Sequence, residues 1–342
     1  MAKRISIISI VIAIVLSVQF IPSQGKKTMS KYRWYPTESS PKLYPMEIVK
    51  GNLIFSDGSS IYIPDHKVVS NGWGETGSSY ISGEDIKPVP VKLEIHWFSY
   101  AENKFYSGSY ELPYDEMLTL FDKGMSSPVN GDKITYNRII VGIAPEGEIS
   151  VWLTAEGIVT EVASFKAKEA QTDWTEIIES KRVSREQYID MVFEDTLETN
   201  QIEDLKEKGV PAGLWETYRQ QNHWQPEVIG SQPLVMWVKT FNGEQEYFNF
   251  SDSDNSRTHR AIPKRVKINW LQKSGQKYTA TIHFDEEEIF KAYEKLITDK
   301  PEHKITLQLE ISEAGHTIDV FLKDEKFILK LEKNEMKVYK ME

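Results

Sequence analysis

The sequence predicts an α+β fold built from two related modules, each an antiparallel β-sheet with one packed helix, and a helical strap that joins them. A block anchored on a tryptophan occurs twice, over residues 90–121 and 263–293, and such self-similarity sets the domain count. In both copies, two strand-like stretches with alternating apolar and polar residues precede one helical stretch. Strands grouped around a single helix favour α+β over a parallel α/β sheet, in which strands and helices alternate.

The N-terminus has the pattern of a secretory signal over residues 1–25. Two basic residues precede an uncharged aliphatic run over 5–21, and the small residues Ser23 and Gly25 suit a signal peptidase. The run also approaches the length of a membrane span, so an uncleaved anchor and a buried core helix are alternatives. A signal peptide and an anchor would both export the folded part to the cell envelope, either periplasmic or membrane-anchored. Membrane contact is expected only through an uncleaved segment.

The next residues lead into the first module, which is predicted over 46–165. Residues 26–45 are polar and rich in proline, which is typical of a tether. The module opens with a hairpin over 50–64, whose Asp-Gly dipeptide suits a tight turn. The Gly- and Ser-rich stretch 65–88 is a long loop, and long loops are more often functional than structural.

The first copy of the repeat follows that loop. Alternation over 91–97 and the stretch 104–110 predict two paired strands. Pro113 suits the start of the packed helix, where its missing N–H costs nothing, and Gly124 suits its end. Three more strands are predicted, over 139–143, 149–153 and 159–165.

A helical strap is predicted over 166–230, where charge rises and helical spacing replaces strand alternation. We expect two helices and an aromatic-rich turn there. The second module, over 231–342, is predicted to be a diverged repeat of the first. Its strands are predicted near 234–238, 247–250, 266–271, 278–284, 304–311, 317–323, 326–332 and 335–340, and its helix over 285–299.

Composition excludes several classes of protein. The chain has no cysteine, and this excludes a disulfide framework, a thiolate zinc site, a cysteine nucleophile and a lipobox. Its net charge of -10 repels phosphate backbones, so no nucleic-acid partner is expected. The chain also contains no zinc-protease helix, phosphate-binding loop, serine elbow or dinucleotide glycine pattern. We therefore expect no enzymatic activity, no cofactor and no metal site.

Four residues are the candidate binding residues: Trp73 and Tyr80 in the long loop, and Glu102 and Tyr106 in the first repeat. Tryptophan dominates binding hot spots, so an exposed Trp73 would anchor a protein partner. The alternative is a ring that folds back on its own module. Glu102 lies in a hairpin turn among aromatic residues, where it would act as an acid. A solvated turn residue is the alternative.

The first module and the strap resemble the bacterial family of unknown function DUF2931. The motifs that carry the resemblance are Leu93-Glu-Ile-His-Trp-Phe-Ser99, Glu102-Asn-Lys-Phe-Tyr106, Leu112-Pro113, Val141-Gly-Ile-Ala-Pro-Glu-Gly147, Val151-Trp152-Leu153, Trp215-Glu-Thr-Tyr218 and Trp224. They cover residues 31–230, and the C-terminal module resembles a diverged second copy. The resemblance implies an envelope protein, commonly a lipoprotein, with no established activity. In some members it implies an immunity or accessory role beside secreted effectors. This chain departs from the pattern because it lacks the lipobox cysteine.

These observations predict a non-enzymatic binding protein of the cell envelope. An acidic surface with exposed loop aromatics would dock on a protein partner, for which a secreted effector is the candidate by resemblance. The alternative is a small-molecule or glycan-binding protein that uses the groove between the modules, where tryptophan and tyrosine rings would stack on sugars. The shape of the aromatic site separates the two functions, because a flat, protruding patch suits a protein and a concave one suits a ligand.

Overall fold

The computed structural model describes residues 30–78, 83–179, 182–251, 257–297 and 304–341. These ranges contain five α-helices and a larger number of strands that pair mainly antiparallel, which confirms the α+β class. None of the helices in the described ranges is long and apolar enough to cross a membrane. The predicted signal or anchor over 1–25 and the candidate residue Tyr80 lie outside the described residues.

The N-terminal half contains two sheets and one packed helix. Its elements are β1 (Lys31–Arg33), β2 (Tyr35–Ser39), β3 (Met46–Ile54), β4 (Ser60–Tyr62), β5 (Val68–Val69), β6 (Ile86–Pro88), β7 (Lys92–Ser99), β8 (Lys104–Glu111), α1 (Tyr114–Lys123), β9 (Met125–Ser126), β10 (Lys133–Ile134), β11 (Arg138–Ile143), β12 (Glu148–Ala155), β13 (Ile158–Lys166) and β14 (Lys168–Ala170). The sheet β14-β8-β7-β3-β4 and the strands β2-β11-β12-β13 enclose one apolar core with α1.

Local sequence accounts for the turns of this half. β3 and β4 form the predicted hairpin, and Gly58 takes a φ of 85° in its turn. The helix α1 begins directly after Pro113 and buries Met117 and Phe121 against the core. Gly124 ends the helix with a φ of 61°, and its N–H donates to the Leu120 carbonyl at 2.9 Å.

The strap contains three α-helices where two were predicted. They are α2 (Arg185–Thr196), α3 (Thr199–Lys208) and the short α4 (Leu214–Tyr218). A capping box of Ser184 and Gln187 fixes the start of α2. The apolar face of α2 packs on Phe98, Tyr100 and Phe105 of the first half.

The C-terminal half also has two sheets and one helix. Its elements are β15 (Asn222–Ile229), β16 (Gln232–Thr240), β17 (Gln245–Asn249), β18 (His259–Arg260), β19 (Pro263–Leu271), β20 (Lys277–Phe284), α5 (Glu286–Ile297), β21 (Ile305–Ile311), β22 (Ile318–Lys323), β23 (Ile328–Leu331) and β24 (Asn334–Lys340). The strands β17-β16-β19-β20-β24 and the sheet β18-β15-β21-β22-β23 enclose a second core with α5.

One sheet runs through both halves, a join that the sequence did not indicate. Its nine strands lie in the order β2-β11-β12-β13-β17-β16-β19-β20-β24, and β13 meets β17 at the single pair Val159 and Gln245. The predicted antiparallel pairing holds except at two places. β2 pairs parallel with β11, and β15 pairs parallel with β21.

The tether predicted over 26–45 is wrong for residues 31–39, because these residues form β1 and β2. Trp34 between them is fully buried, and its indole N–H donates to the Pro88 carbonyl at 3.2 Å. Pro36 lies in β2, which is an edge of the nine-stranded sheet, and proline is tolerated at an edge because one side of the strand has no ladder to complete. The predicted aromatic-rich turn at 224–226 is likewise part of a strand, β15.

Candidate functional site

A groove of about 300 Å³ lies where the strap meets both halves of the molecule. The N-terminal half contributes the turn 41–44 and the loop segment 72–75, and the strap contributes α4. The C-terminal half contributes the ends of β16 and β20 and the starts of β19 and α5. This volume is at the lower end of the range for small-molecule sites.

Aromatic rings form one wall of the groove. Trp73 packs edge-on against Trp152 at 4.8 Å between ring centroids, and its other neighbour is Trp215 at 5.9 Å in a stacked arrangement. Trp215 stacks in turn on Tyr218 at 5.6 Å, and Tyr218 lies 5.2 Å from Phe241. The rings come from the long loop, α4 and the end of β16, so all three regions are needed to build the wall.

Two glycines let the loop reach this position. Gly72 and Gly74 have φ values of 115° and 70°, which disfavour other residues. A Cβ on Gly74 would lie 2.4 Å from the Gly243 carbonyl oxygen, so the loop backbone touches the turn between β16 and β17 directly. The Ser39 hydroxyl donates to the Gly72 carbonyl at 2.7 Å and accepts from the Gly74 N–H at 3.0 Å.

Trp73 is therefore not the exposed anchor that the sequence suggested. Only 8% of its surface is exposed, because the ring folds back on Trp152 of its own half and on Trp215 of the strap. The segment 72–75 of the long loop lines a concavity and does not present Trp73 as a protruding ring.

Basic side chains also line the groove. Lys239 is 7% exposed, and its ammonium donates to the Glu75 carboxylate. Burial lowers the pKa of Lys239 to about 8, Glu75 opposes this shift, and the nearby Arg265 and Lys264 add to it. The pKa of His283 is also lowered, first by desolvation and then by Arg265. At neutral pH, Lys239 is thus a buried cation beside other cations.

The carboxylate of Glu286, at the start of α5, accepts a hydrogen bond from within the groove. The Tyr218 hydroxyl donates to Glu286 at 2.6 Å, and burial together with this carboxylate raises the pKa of Tyr218. Tyr218 therefore stays protonated, and its ring is held in place against Trp215. Glu286 lines the groove as a hydrogen-bond acceptor whose position is fixed by that tyrosine.

Glu102 and Tyr106 lie together but outside the groove. The Tyr106 hydroxyl donates to Glu102 Oε1 at 2.8 Å, and the Glu146 N–H donates to the same oxygen at 3.0 Å. Glu146 itself has a φ of 61°, and its own carboxylate accepts from the Gly213 N–H at 2.9 Å. Glu102 thus holds the 145–147 turn, which in turn holds the start of α4. Glu102 is therefore a part-buried hydrogen-bond acceptor of this turn, whereas the alternative predicted from the sequence was a solvated turn residue.

Replacing Glu102 with alanine is expected to lower the unfolding free energy by about 1–3 kcal/mol, because the Tyr106 hydroxyl and the Glu146 N–H would lose their shared acceptor. Glutamine keeps a carbonyl oxygen at the same place, so Glu102→Gln should lose less. Urea unfolding of the two variants checks this. Equal stability of Glu102→Ala and the unmodified protein would contradict the structural role.

Sequence reasoning did not single out Lys239, Arg265, Trp215 or Tyr218 as site residues. The first two lie at strand ends that meet only when β16 pairs with β19, and α4 reaches the groove only through the fold of the strap. A basic residue at each of two neighbouring strand ends was the signal available in the sequence. No cluster of three or more His, Asp or Glu suited to a metal ion occurs among the described residues.

The fold and the groove define a class of molecule: an α+β protein with an aromatic and basic groove between its two halves. The chain belongs to the family described as Protein of unknown function (DUF2931), whose model matches residues 21–213. This match confirms the family that the sequence motifs predicted. It includes the loop segment 72–75 and ends before α4 and the strands that carry Lys239 and Arg265. No curated protein and no solved structure matches the chain.

Proposed function

We propose that the chain is a non-enzymatic binding protein that takes a small ligand in the groove between its two halves. One observation carries this proposal: Trp73 of the long loop and Trp215 and Tyr218 of the strap line a concave site, and Trp73 does not protrude from the surface. Concave sites lined by aromatic rings and a few polar groups are typical of small-molecule binding. Of the two functions that the sequence left open, the shape favours ligand binding over docking on a protein through Trp73.

Binding would rest on the rings that remain accessible. Trp73 and Trp215 are largely buried, so they stiffen the wall. Tyr218 and Tyr44 are half-buried, so parts of their side chains remain accessible to a ligand. The ring of Tyr44 packs edge-on against Trp215 at 5.7 Å, and Leu43 beside it is 45% exposed at the rim. A wall that is already packed loses little conformational entropy when a ligand binds.

We also propose that the C-terminal half is a diverged copy of the N-terminal half. In each half a parallel pair of strands continues into two antiparallel strands, as β2-β11-β12-β13 and as β15-β21-β22-β23. Trp34 is fully buried under the ammonium of Lys87 at 5.1 Å, and Trp224 is fully buried under the guanidinium of Arg260 at 5.6 Å. The same cation-on-tryptophan contact at matching strands supports a duplication, in which the groove formed between the copies.

Export to the cell envelope is part of this proposal and rests on the sequence of residues 1–25. A protein partner, including a secreted effector, stays a prediction from the family resemblance. The groove function does not depend on either of them, because its residues come from the folded chain alone.

Narrowing the rim is expected to weaken ligand binding at least tenfold. Leu43→Trp places a larger side chain at the mouth of the groove, and Val129→Trp makes the same change at a site that is 82% exposed and does not line it. A panel of neutral sugars, amino acids, carboxylates and phosphate esters would be screened by thermal shift on the full chain, and hits would be titrated into both variants. Ligands that bind Leu43→Trp and Val129→Trp equally well would place binding elsewhere, and a panel without a hit would contradict the proposal.

A further inference from the structure

Three basic side chains form a row across neighbouring strands on one side of the groove. Lys239 on β16 is the register partner of Arg265 on β19, and Arg265 is the register partner of His283 on β20. All three residues line the groove. Like charges directly opposite each other on neighbouring strands destabilise a sheet, so the fold itself gains nothing from this row.

The basic side chains that line the groove outnumber its carboxylates. Glu75 is paired with Lys239, but its side chain is 46% exposed and lies on the long loop, where a ligand can displace it. Glu286 accepts the Tyr218 hydroxyl. Lys42 and Lys264 also line the groove and add two positive charges. The groove therefore carries more positive than negative charge, although the whole chain has a net charge of -10.

We infer that the groove binds a small oxyanion, a carboxylate or a phosphate ester, that is carried on a flat ring. The oxyanion would lie between Lys239 and Arg265, where charge-assisted hydrogen bonds replace the repulsion between the two cations. The ring would lie against the half-buried Tyr44 and Tyr218 on the aromatic wall. This inference rests on the proposed function, because it names the chemical class of the ligand for the same groove.

A positive groove on an acidic chain also fits this ligand class. Small anions are repelled by most of such a surface, and a local positive site surrounded by low-dielectric walls concentrates them. Lys239 supports the assignment, because a cation in a cleft whose protonation is perturbed by burial and by neighbouring charges is a candidate for a functional site.

The test uses the full chain and four probes at constant ionic strength: benzoate, phenyl phosphate, the neutral benzamide and inorganic phosphate. Titrations would be followed by tryptophan fluorescence and by calorimetry. We expect benzoate or phenyl phosphate to bind at least tenfold more tightly than benzamide, and more tightly than inorganic phosphate. Whichever of benzoate and phenyl phosphate binds more tightly identifies the oxyanion as a carboxylate or a phosphate ester.

Three variants locate the binding. Lys239→Met should weaken the ring-bearing anions at least tenfold, and Lys239→Arg, which keeps the charge, should weaken them less. Lys267→Met removes a lysine from the same strand as Arg265, but Lys267 does not line the groove, so its affinities should equal those of the unmodified protein. Urea unfolding shows whether Lys239→Met is folded, and Arg265→Gln replaces it as the test if it is not.

Each other outcome overturns a stated part of the inference. Benzamide and benzoate could bind equally well, with affinities that Lys239→Met leaves unchanged and Leu43→Trp weakens. That result would show that the groove does not select an anion and that it binds a neutral ligand. If inorganic phosphate binds as tightly as phenyl phosphate, the ligand's ring contributes nothing to binding, and that part of the inference is wrong. Binding of no probe overturns the anion inference, and the neutral members of the ligand panel then decide the proposed function separately.

Discussion

Arg219→Met is expected to lower the unfolding free energy by about 3–5 kcal/mol, because it removes a guanidinium that two buried carboxylates share. The Arg219 guanidinium donates to Glu148 at 2.8 Å and to Glu161 at 3.3 Å. The side chains of Glu148 and Glu161 are only 3% and 14% exposed. Glu148 keeps a second ion pair, with Lys166 at 3.0 Å. The loss therefore falls mainly on Glu161, which keeps hydrogen bonds from Ser150 and Asn242 but loses its ion pair with Arg219.

The loss should be larger at pH 8 than at pH 5. Burial already raises the pKa of Glu161, and Arg219 opposes that shift, so the variant raises this pKa further. A carboxyl whose folded pKa exceeds its unfolded value favours the fold below the unfolded pKa, and this contribution is lost as the pH rises through the folded pKa. Urea unfolding at the two pH values measures the difference.

A second substitution tests the cause of that loss. Adding Glu161→Gln to Arg219→Met removes one unpaired charge, so it should restore part of the stability and reduce the pH dependence. Arg219→Lys keeps a charge but not the planar fork, and it should fall between the unmodified protein and Arg219→Met. A loss below about 1 kcal/mol for Arg219→Met would mean that this cluster is not a buried ion-pair network of the kind described.

The parts of the fold that the sequence predicted are those that depend on neighbours in the chain. The β3–β4 hairpin has its turn dipeptide between its strands, and α1 has Pro113 before it and Gly124 after it. Buried and more exposed residues alternate over most of β7, β19 and β20, and β7 pairs with β8 and β19 with β20, the next strands along the chain. In each case the residues that decide the structure lie within a few positions of one another.

Two of the strands that the sequence missed pair over long distances. β2 pairs in parallel with β11 across about a hundred residues, and β15 pairs in parallel with β21 across about eighty. A parallel pair is not joined by a tight turn that the sequence could reveal. Both of these strands also contain a proline, Pro36 or Pro226, which favours a turn or linker unless the position is known to be an edge.

The candidate site depends on the same kind of long-range contact. The sequence identified the long loop and Trp73, but the burial of that ring depends on Trp152 and Trp215, which lie far along the chain. The basic row depends on which strand ends pair, since Lys239 and Arg265 meet only through the β16–β19 register. Composition and motifs therefore identified Trp73, but neither the other rings of the aromatic wall nor the basic side chains of the groove.

Lys239→Met is expected to stabilise the protein by up to about 3 kcal/mol at pH 7. The pKa of Lys239 is lowered from 10.5 to about 8, and each unit of pKa shift corresponds to about 1.4 kcal/mol. Because the folded pKa lies below the unfolded one, the unfolded chain binds more protons between pH 8 and 10.5, and the stability of the unmodified protein rises with pH across that window. The variant lacks this rise. Urea unfolding of both proteins at pH 7 and pH 10 measures it.

Whether Lys239→Met raises or lowers the unfolding free energy distinguishes a structural role of Lys239 from a role in ligand binding. If the ion pair of Lys239 and Glu75 held the groove together, Lys239→Met would be less stable at pH 7, and the buried cation would need no ligand to explain it. If Lys239→Met is more stable, the charge of Lys239 destabilises the fold. The control Lys267→Met, at an exposed position of β19, should change neither the stability nor its pH dependence. A cation that weakens its own fold and stands opposite Arg265 in a concave site is then best explained by an anion that binds there.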